Sequence, residues 1–130
     1  MDSDIYAPIA FCHLSQSRRC YTEALWSRLS REYFPDFIKP SNISWRQHYQ
    51  DIALHDYVLM VIVRPNGGVD YEAFPRHIRL RDAVHQLGVT GLISITYPNG
   101  EVETTRPSQV YNAQLGAIAE HKEPIIVVRY

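Results

Sequence analysis

The sequence has no surplus of either charge sign: 13 lysines and arginines stand against 14 aspartates and glutamates, a formal net charge of −1. Non-specific nucleic-acid binding releases counterions from phosphates and needs a positive surplus, so no nucleic-acid partner is expected. Long apolar runs are missing as well. The longest, Tyr57 to Val63 and Pro124 to Val128, fall far short of a membrane span. Asp2, Asp4, Pro8 and His13 interrupt any secretory core near the start. The expected compartment is cytoplasmic or nuclear, with no secretion and no membrane. Cys12 and Cys20 are the only cysteines, too few for a disulfide framework. In such a compartment they are expected to be thiols packed as small hydrophobes.

Catalytic signatures are equally scarce. There are six glycines, spent on turns and caps, with no phosphate loop and no Gly-x-Ser-x-Gly elbow. None of the six histidines has another three or four residues away, the spacing that aims two imidazoles at one ion from a helix, and Cys-x-x-Cys is absent. Cys20 has Arg18 and Arg19 beside it but no neighbouring base. Asp70 with Glu72 and Glu101 with Glu103 read as solvent-facing acids of hairpins. No catalytic residue, metal or cofactor is expected.

What is present is patterned apolar sequence. A chain of 130 residues can bury a core without staples. It divides near Asp56 into a helical segment, 1–56, and a sheet-containing segment, 57–130, expected to share one core. From Ser15 to Phe34 the residues Leu14, Tyr21, Leu25, Leu29 and Tyr33 recur at helical steps, widened by Trp26. Ser15 or Ser17 can cap this helix, and Pro35 stops it. Ser44 can cap a second helix from Trp45 to about Leu54.

After Asp56, Tyr57 to Val63 reads as a strand covered on both faces. Pro65-Asn66-Gly67 turns the chain into a return strand, Val69 to Phe74. Ile78 to Leu87 is a helix stopped by Gly88. Gly91 to Tyr97 and Glu101 to Thr105 form a second hairpin around Pro98-Asn99-Gly100. Gln109 to about His121 is helical, and Pro124 to Tyr130 is a final buried strand. The two units echo each other in Pro-Asn-Gly and again in Gln-Leu-Gly, either by duplication or because hairpins favour Asn-Gly. The expected class is α+β: an N-terminal helical segment packed on a mixed, mostly antiparallel sheet in ferredoxin-like βαββαβ order, with room for an extra hairpin strand.

The sharpest string lies in residues 14 to 54: Leu14-Ser15-Gln16, Leu25-Trp26-Ser27-Arg28-Leu29, Tyr33-Phe34-Pro35 and Ser44-Trp45-Arg46-Gln47-His48-Tyr49. It resembles the second half of an F-box and its following helix, as in elongin A and F-box proteins of large DNA viruses. The resemblance implies a helical surface that docks on the adaptor subunit of a cullin ubiquitin ligase. The family's opening leucine–proline helix is not legible; Ala7-Pro8-Ile9 is its remnant. Tyr33 stands where aspartate is common.

The expected function is a non-enzymatic protein-interaction module with anchors Leu14, Tyr21, Leu25, Trp26, Phe34, Trp45 and Tyr49. Leu25, Trp26, Phe34 and Trp45 also read as core residues that fasten the helical layer to the sheet. One alternative is a structural or assembly subunit or small inhibitor, viral or bacterial, acting through sheet edges or self-association. Another is an enzyme assembled around Arg79, Arg81, Asp82 and His85. Nothing in the sequence fixes the oligomeric state.

Overall fold

The computed structural model describes residues 3–15 and 17–130; Asp2 and Gln16, cited above, lie outside them. The chain forms two compact units, one ending at His55 and the other beginning at Asp56.

The helical unit opens with a helix that the sequence pattern hides, α1 (Ser3–Leu14), which carries Pro8 in its second turn. Proline lacks the N–H for the helical ladder, so the pattern reads as broken there. The backbone nevertheless stays helical and buries Ile9, Ala10 and Cys12.

The long helix expected over Ser15–Phe34 is divided in two. A single 3-10 turn (Arg18–Tyr21) precedes α2 (Glu23–Tyr33). The cause is local competition for backbone groups by hydroxyls. Ser15 Oγ accepts the Ser17 N–H, Ser17 Oγ accepts the Arg19 N–H, and Thr22 Oγ1 donates to the Arg19 carbonyl. The expectation of two free thiols is also corrected. Cys12 and Cys20 form a disulfide with Cα atoms 5.4 Å apart, because the 3-10 turn folds back onto the end of α1. The expected helix from Ser15 carries Cys20 away from Cys12, which hides that proximity.

Pro35 follows the end of α2, where the Phe34 N–H still bonds the Ser30 carbonyl. Helix α3 (Trp45–Ala53) begins as expected at Ser44, whose Oγ accepts the Gln47 N–H at 3.0 Å. Glu23, in the first turn of α2, takes the otherwise orphaned Trp45 N–H at 3.1 Å.

The second unit contains β1 (Tyr57–Val63), β2 (Val69–Pro75), α4 (Leu80–Gln86), β3 (Ile93–Thr96), β4 (Val102–Thr105), α5 (Leu115–Ile118) and β5 (Ile125–Arg129). The class is α+β with a mixed sheet in the order β2-β1-β5-β3-β4. Three of its four pairings are antiparallel; β1 and β5 are parallel. The element sequence is βαββαβ with the extra hairpin strand β2. The arrangement is not ferredoxin-like, however, because β5 lies centrally between β1 and β3. Two hairpins around a parallel central pair, with a helix over one face, make a β-grasp topology, which carries no function by itself.

Central placement explains why β1 and β5 are apolar nearly throughout. Val58, Met60, Ile62, Ile126 and Val128 join Ile93 and Ile95 against Leu80, Ala83 and Val84 of α4. Leu59, Val61, Ile125 and Val127, on the opposite face, are buried too.

The two hairpin turns share one hydrogen-bond pattern. Asn66 Oδ1 accepts the Gly68 N–H as Asn99 Oδ1 accepts the Glu101 N–H. Gly67 and Gly100 sit at φ +87° and +89°, where an L side chain is strained. The Gln-Leu-Gly echo has no such common basis. Gly88 follows α4, whereas Gly116 lies so close to Arg76 that an added Cβ would stand 2.9 Å from Arg76 Cβ.

That close approach also corrects the expected helix over Gln109–His121. A 3-10 turn (Pro107–Gln109) and the short α5 are all that form. Between them the chain bonds to the segment before α4: Leu80 N–H to the Ala113 carbonyl, Leu115 N–H to that of Ile78 and Gly116 N–H to that of Arg76, each at 2.8 Å. No helix among the described residues is long and apolar enough to cross a membrane.

Candidate docking surfaces of the helical unit

The interior of the helical unit is aromatic. Trp26 on α2 and Tyr49 on α3 have ring centroids 5.5 Å apart, and Phe34 lies 5.3 Å from Tyr49. Both polar tips find backbone acceptors, as buried Trp and Tyr require. Trp26 Nε1 donates to the Cys20 carbonyl at 2.9 Å, and the Tyr49 hydroxyl donates to the Ile5 carbonyl at 2.5 Å. Burial, then the nearby Tyr33, Glu32 and Tyr6, pushes the Tyr49 hydroxyl above the ordinary tyrosine range. With 1% and 0% exposure, Trp26 and Tyr49 are core residues, not surface anchors.

Arg46 ties this core to the disulfide. Its guanidinium stacks near the rings of Tyr21 and Trp26, 5.6 and 5.4 Å from their centroids. The same group donates to the carbonyls of Cys20 and Cys12 at 3.3 and 3.4 Å.

The other expected anchors reach the surface to different degrees. Leu14, Leu25, Phe34 and Trp45 are half-buried, and Tyr21 is 65% exposed. Two patches result. At the first, Phe11 and Tyr21 are the exposed neighbours of the bridged Cys12 and Cys20. Leu25 follows in a hollow of about 320 Å³ rimmed by Arg19 and Arg28.

The second patch is a groove of about 390 Å³ at the other end of α2. Phe34, Phe37, Ile38 and Trp45 line it together with Arg31 and Lys39. Both cations lie over the Trp45 ring, 5.5 and 5.6 Å from its centroid. Lys39 Nζ also donates to the carbonyls of Pro40 and Ile43, which fixes the loop. Phe11, Phe37 and Ile38 were not singled out from the sequence. The readable signal for the last two was an adjacent apolar pair in a loop bounded by Pro35 and Pro40, with no strand or helix to bury it.

In the sheet unit, Arg81, Asp82 and His85 line an open cavity of about 530 Å³ with Thr90, Arg106 and Ser108. Arg81, and Arg79 outside the cavity lining, act on the backbone. Arg81 donates twice to the Val110 carbonyl, and Arg79 donates to that of Asn112, which holds the 110–112 segment against α4. Tyr97 donates to Glu103 at 2.9 Å. Burial, helped by that bond and the charge of Glu103, pushes its hydroxyl up to about 12. No group of three or more potential metal ligands occurs among the described residues.

Comparison with known proteins finds no protein-family model and no curated protein that matches the chain.

Proposed function

We propose that the helical unit is a non-enzymatic protein-docking module, F-box-like in layout, that binds the adaptor subunit of a cullin ubiquitin ligase. The observation that carries this reading is the exposed pair Phe11 and Tyr21, joined through the neighbouring disulfide while Trp26, Phe34 and Tyr49 already fill the core beneath. Clustered apolar side chains left in water mark interaction surfaces, and a few aromatic and arginine anchors carry most of an interface's energy. Leu25, four residues on from Tyr21, lies in the hollow with Arg19 and Arg28. Helix α1 supports the reading too, since it supplies an opening helix where the sequence retained only Ala7-Pro8-Ile9.

The reading places the chain in the cytosol or nucleus, where a disulfide is open to reduction. Arg46 and Trp26 also anchor this segment, through hydrogen bonds to the cysteine carbonyls. Assembly through sheet edges is less favoured: the edge strands β2 and β4 carry Asp70, Glu72 and Glu103, and such charges oppose edge pairing.

Calorimetric titration with purified cullin-ligase adaptor subunits tests the proposal. The wild-type chain is expected to bind one of them, and Tyr21→Asp or Leu25→Asp to weaken binding about tenfold or more with an unchanged circular-dichroism spectrum. No binding by the wild type, or undiminished binding by both variants, rejects it.

A further inference from the structure

We propose that the groove between the end of α2, the 34–40 loop and the start of α3 binds an acidic segment of a partner protein, with an apolar side chain against Phe37 and Ile38 and flanking carboxylates on Arg31 and Lys39. This site deepens the docking role proposed above and lies at the opposite end of α2 from Tyr21 and Leu25.

Two observations converge on it. The floor is apolar and unusually open to water: Ile38 is 93% exposed and Phe37 57%, in a loop clamped by Lys39 and not free to fold inward. An apolar pair held out in this way is shaped for a side chain that arrives from elsewhere. The rim is cationic and unneutralised. Among the described residues no carboxylate pairs with Arg31 or Lys39, and Asp36, on the same loop, neither lines the groove nor bridges to either cation.

The chemistry of the occupant follows. Arginine offers a planar fork to a carboxylate and lysine a point charge, so two cations over one ring select an acidic flank. The exposed Phe37–Ile38 pair selects an aromatic or branched aliphatic residue between the acids. A basic segment would meet like charge at both cations.

The two tryptophans give the test an internal control, because Trp26 is buried and Trp45 lines the groove. The 15N-labelled full chain is titrated with a blocked Glu-Glu-Leu-Phe-Glu-Glu peptide and, separately, with Lys-Lys-Leu-Phe-Lys-Lys. The acidic peptide is expected to shift the Trp45 indole N–H saturably while Trp26 stays still. Its affinity is expected to exceed that of the basic peptide about tenfold and to fall with added salt. Ile38→Asp and Arg31→Glu, both at exposed positions, are expected to abolish the shift. A silent Trp45, equal response to both peptides, or a shift that survives both substitutions overturns the proposal. Adaptor binding by the Ile38→Asp chain separates the two claims: retained, with peptide binding lost, it leaves both standing, whereas adaptor binding without any peptide response in the wild type removes the groove alone.

Discussion

The two units fill their interiors with different chemistry. The buried core of the sheet unit is aliphatic apart from Phe74: Val58, Met60, Ile62, Leu80, Ile93, Ile95, Ile126 and Val128 interlock with no polar tip to satisfy. The core of the helical unit is aromatic and wired to the backbone through Trp26, Tyr49 and Arg46. An aliphatic core depends on shape alone and tolerates isosteric exchange. A core of ring, hydrogen bond and guanidinium depends on several partners at once, so changes within it should not add simply. The contrast extends to the surface. The exposed aromatic and apolar groups of the helical unit gather at the two ends of α2, where the docking roles are assigned.

The most forceful way to break this contrast is to remove a central ring. Trp26→Ala is expected to cost about 3–5 kcal/mol, at the high end because it also takes a donor from the Cys20 carbonyl and a stacking face from Arg46. Leu80→Ala in the sheet unit is expected to cost about 2–5 kcal/mol through its cavity alone. Denaturant midpoints measure both. If Trp26→Phe proved as mild as a Leu→Met exchange at Leu80, the hydrogen-bond wiring would contribute nothing.

Reduction of Cys12–Cys20 is the next largest test. Closing a loop of eight residues' separation is worth about 2–3 kcal/mol in the chain-entropy model. Arg46→Met is then expected to destabilise the reduced protein more than the oxidised one, since Arg46 and the sulfurs hold the same segment. Equal effects in both states would show that they act independently.

The smallest expected effect is a titration in the sheet unit. The folded-state pKa of Tyr97 is raised from 10.0 to about 12 by burial and by Glu103. A group with a raised folded pKa contributes stability that is fully present below its unfolded pKa and is lost as pH rises through the folded one. The loss therefore falls between about pH 10 and pH 12. Glu103→Gln is expected to bring the Tyr97 phenolate transition to lower pH in an ultraviolet titration; an unmoved transition would leave burial as the whole cause.

The same contrast governs how much of the molecule could be read from its sequence. In the sheet unit the local signals agree with the fold. The apolar run at Tyr57–Val63 is a central strand, and both Pro-Asn-Gly turns close hairpins. What local signals do not carry is the insertion of β5 between β1 and β3, a pairing between chain segments far apart, or the non-helical path of residues 110–114, which with the start of α5 is held by hydrogen bonds to residues 76–80. In the helical unit Ser44 and Pro35 mark their boundaries correctly. Helix α1 is hidden by Pro8, and the break at Thr22 is hidden because its apolar residues keep helical spacing across it. Spacing places Trp26, Trp45 and Tyr49 on helices but does not show which rings face inward. Two of those three are core, and the exposed groove residues Phe37 and Ile38 lie in a loop where periodicity is silent.

The central claim is that the surface of the helical unit, and not its buried tryptophan, engages a ligase adaptor. Affinity purification of the tagged chain from its native cell, compared with the Tyr21→Asp chain and with mass spectrometry of the retained proteins, tests it most directly. The account predicts cullin-ligase adaptor subunits in the wild-type eluate and their loss from the variant, with the variant's fold intact. Identical partner sets for the two chains, or no adaptor in either, would contradict it.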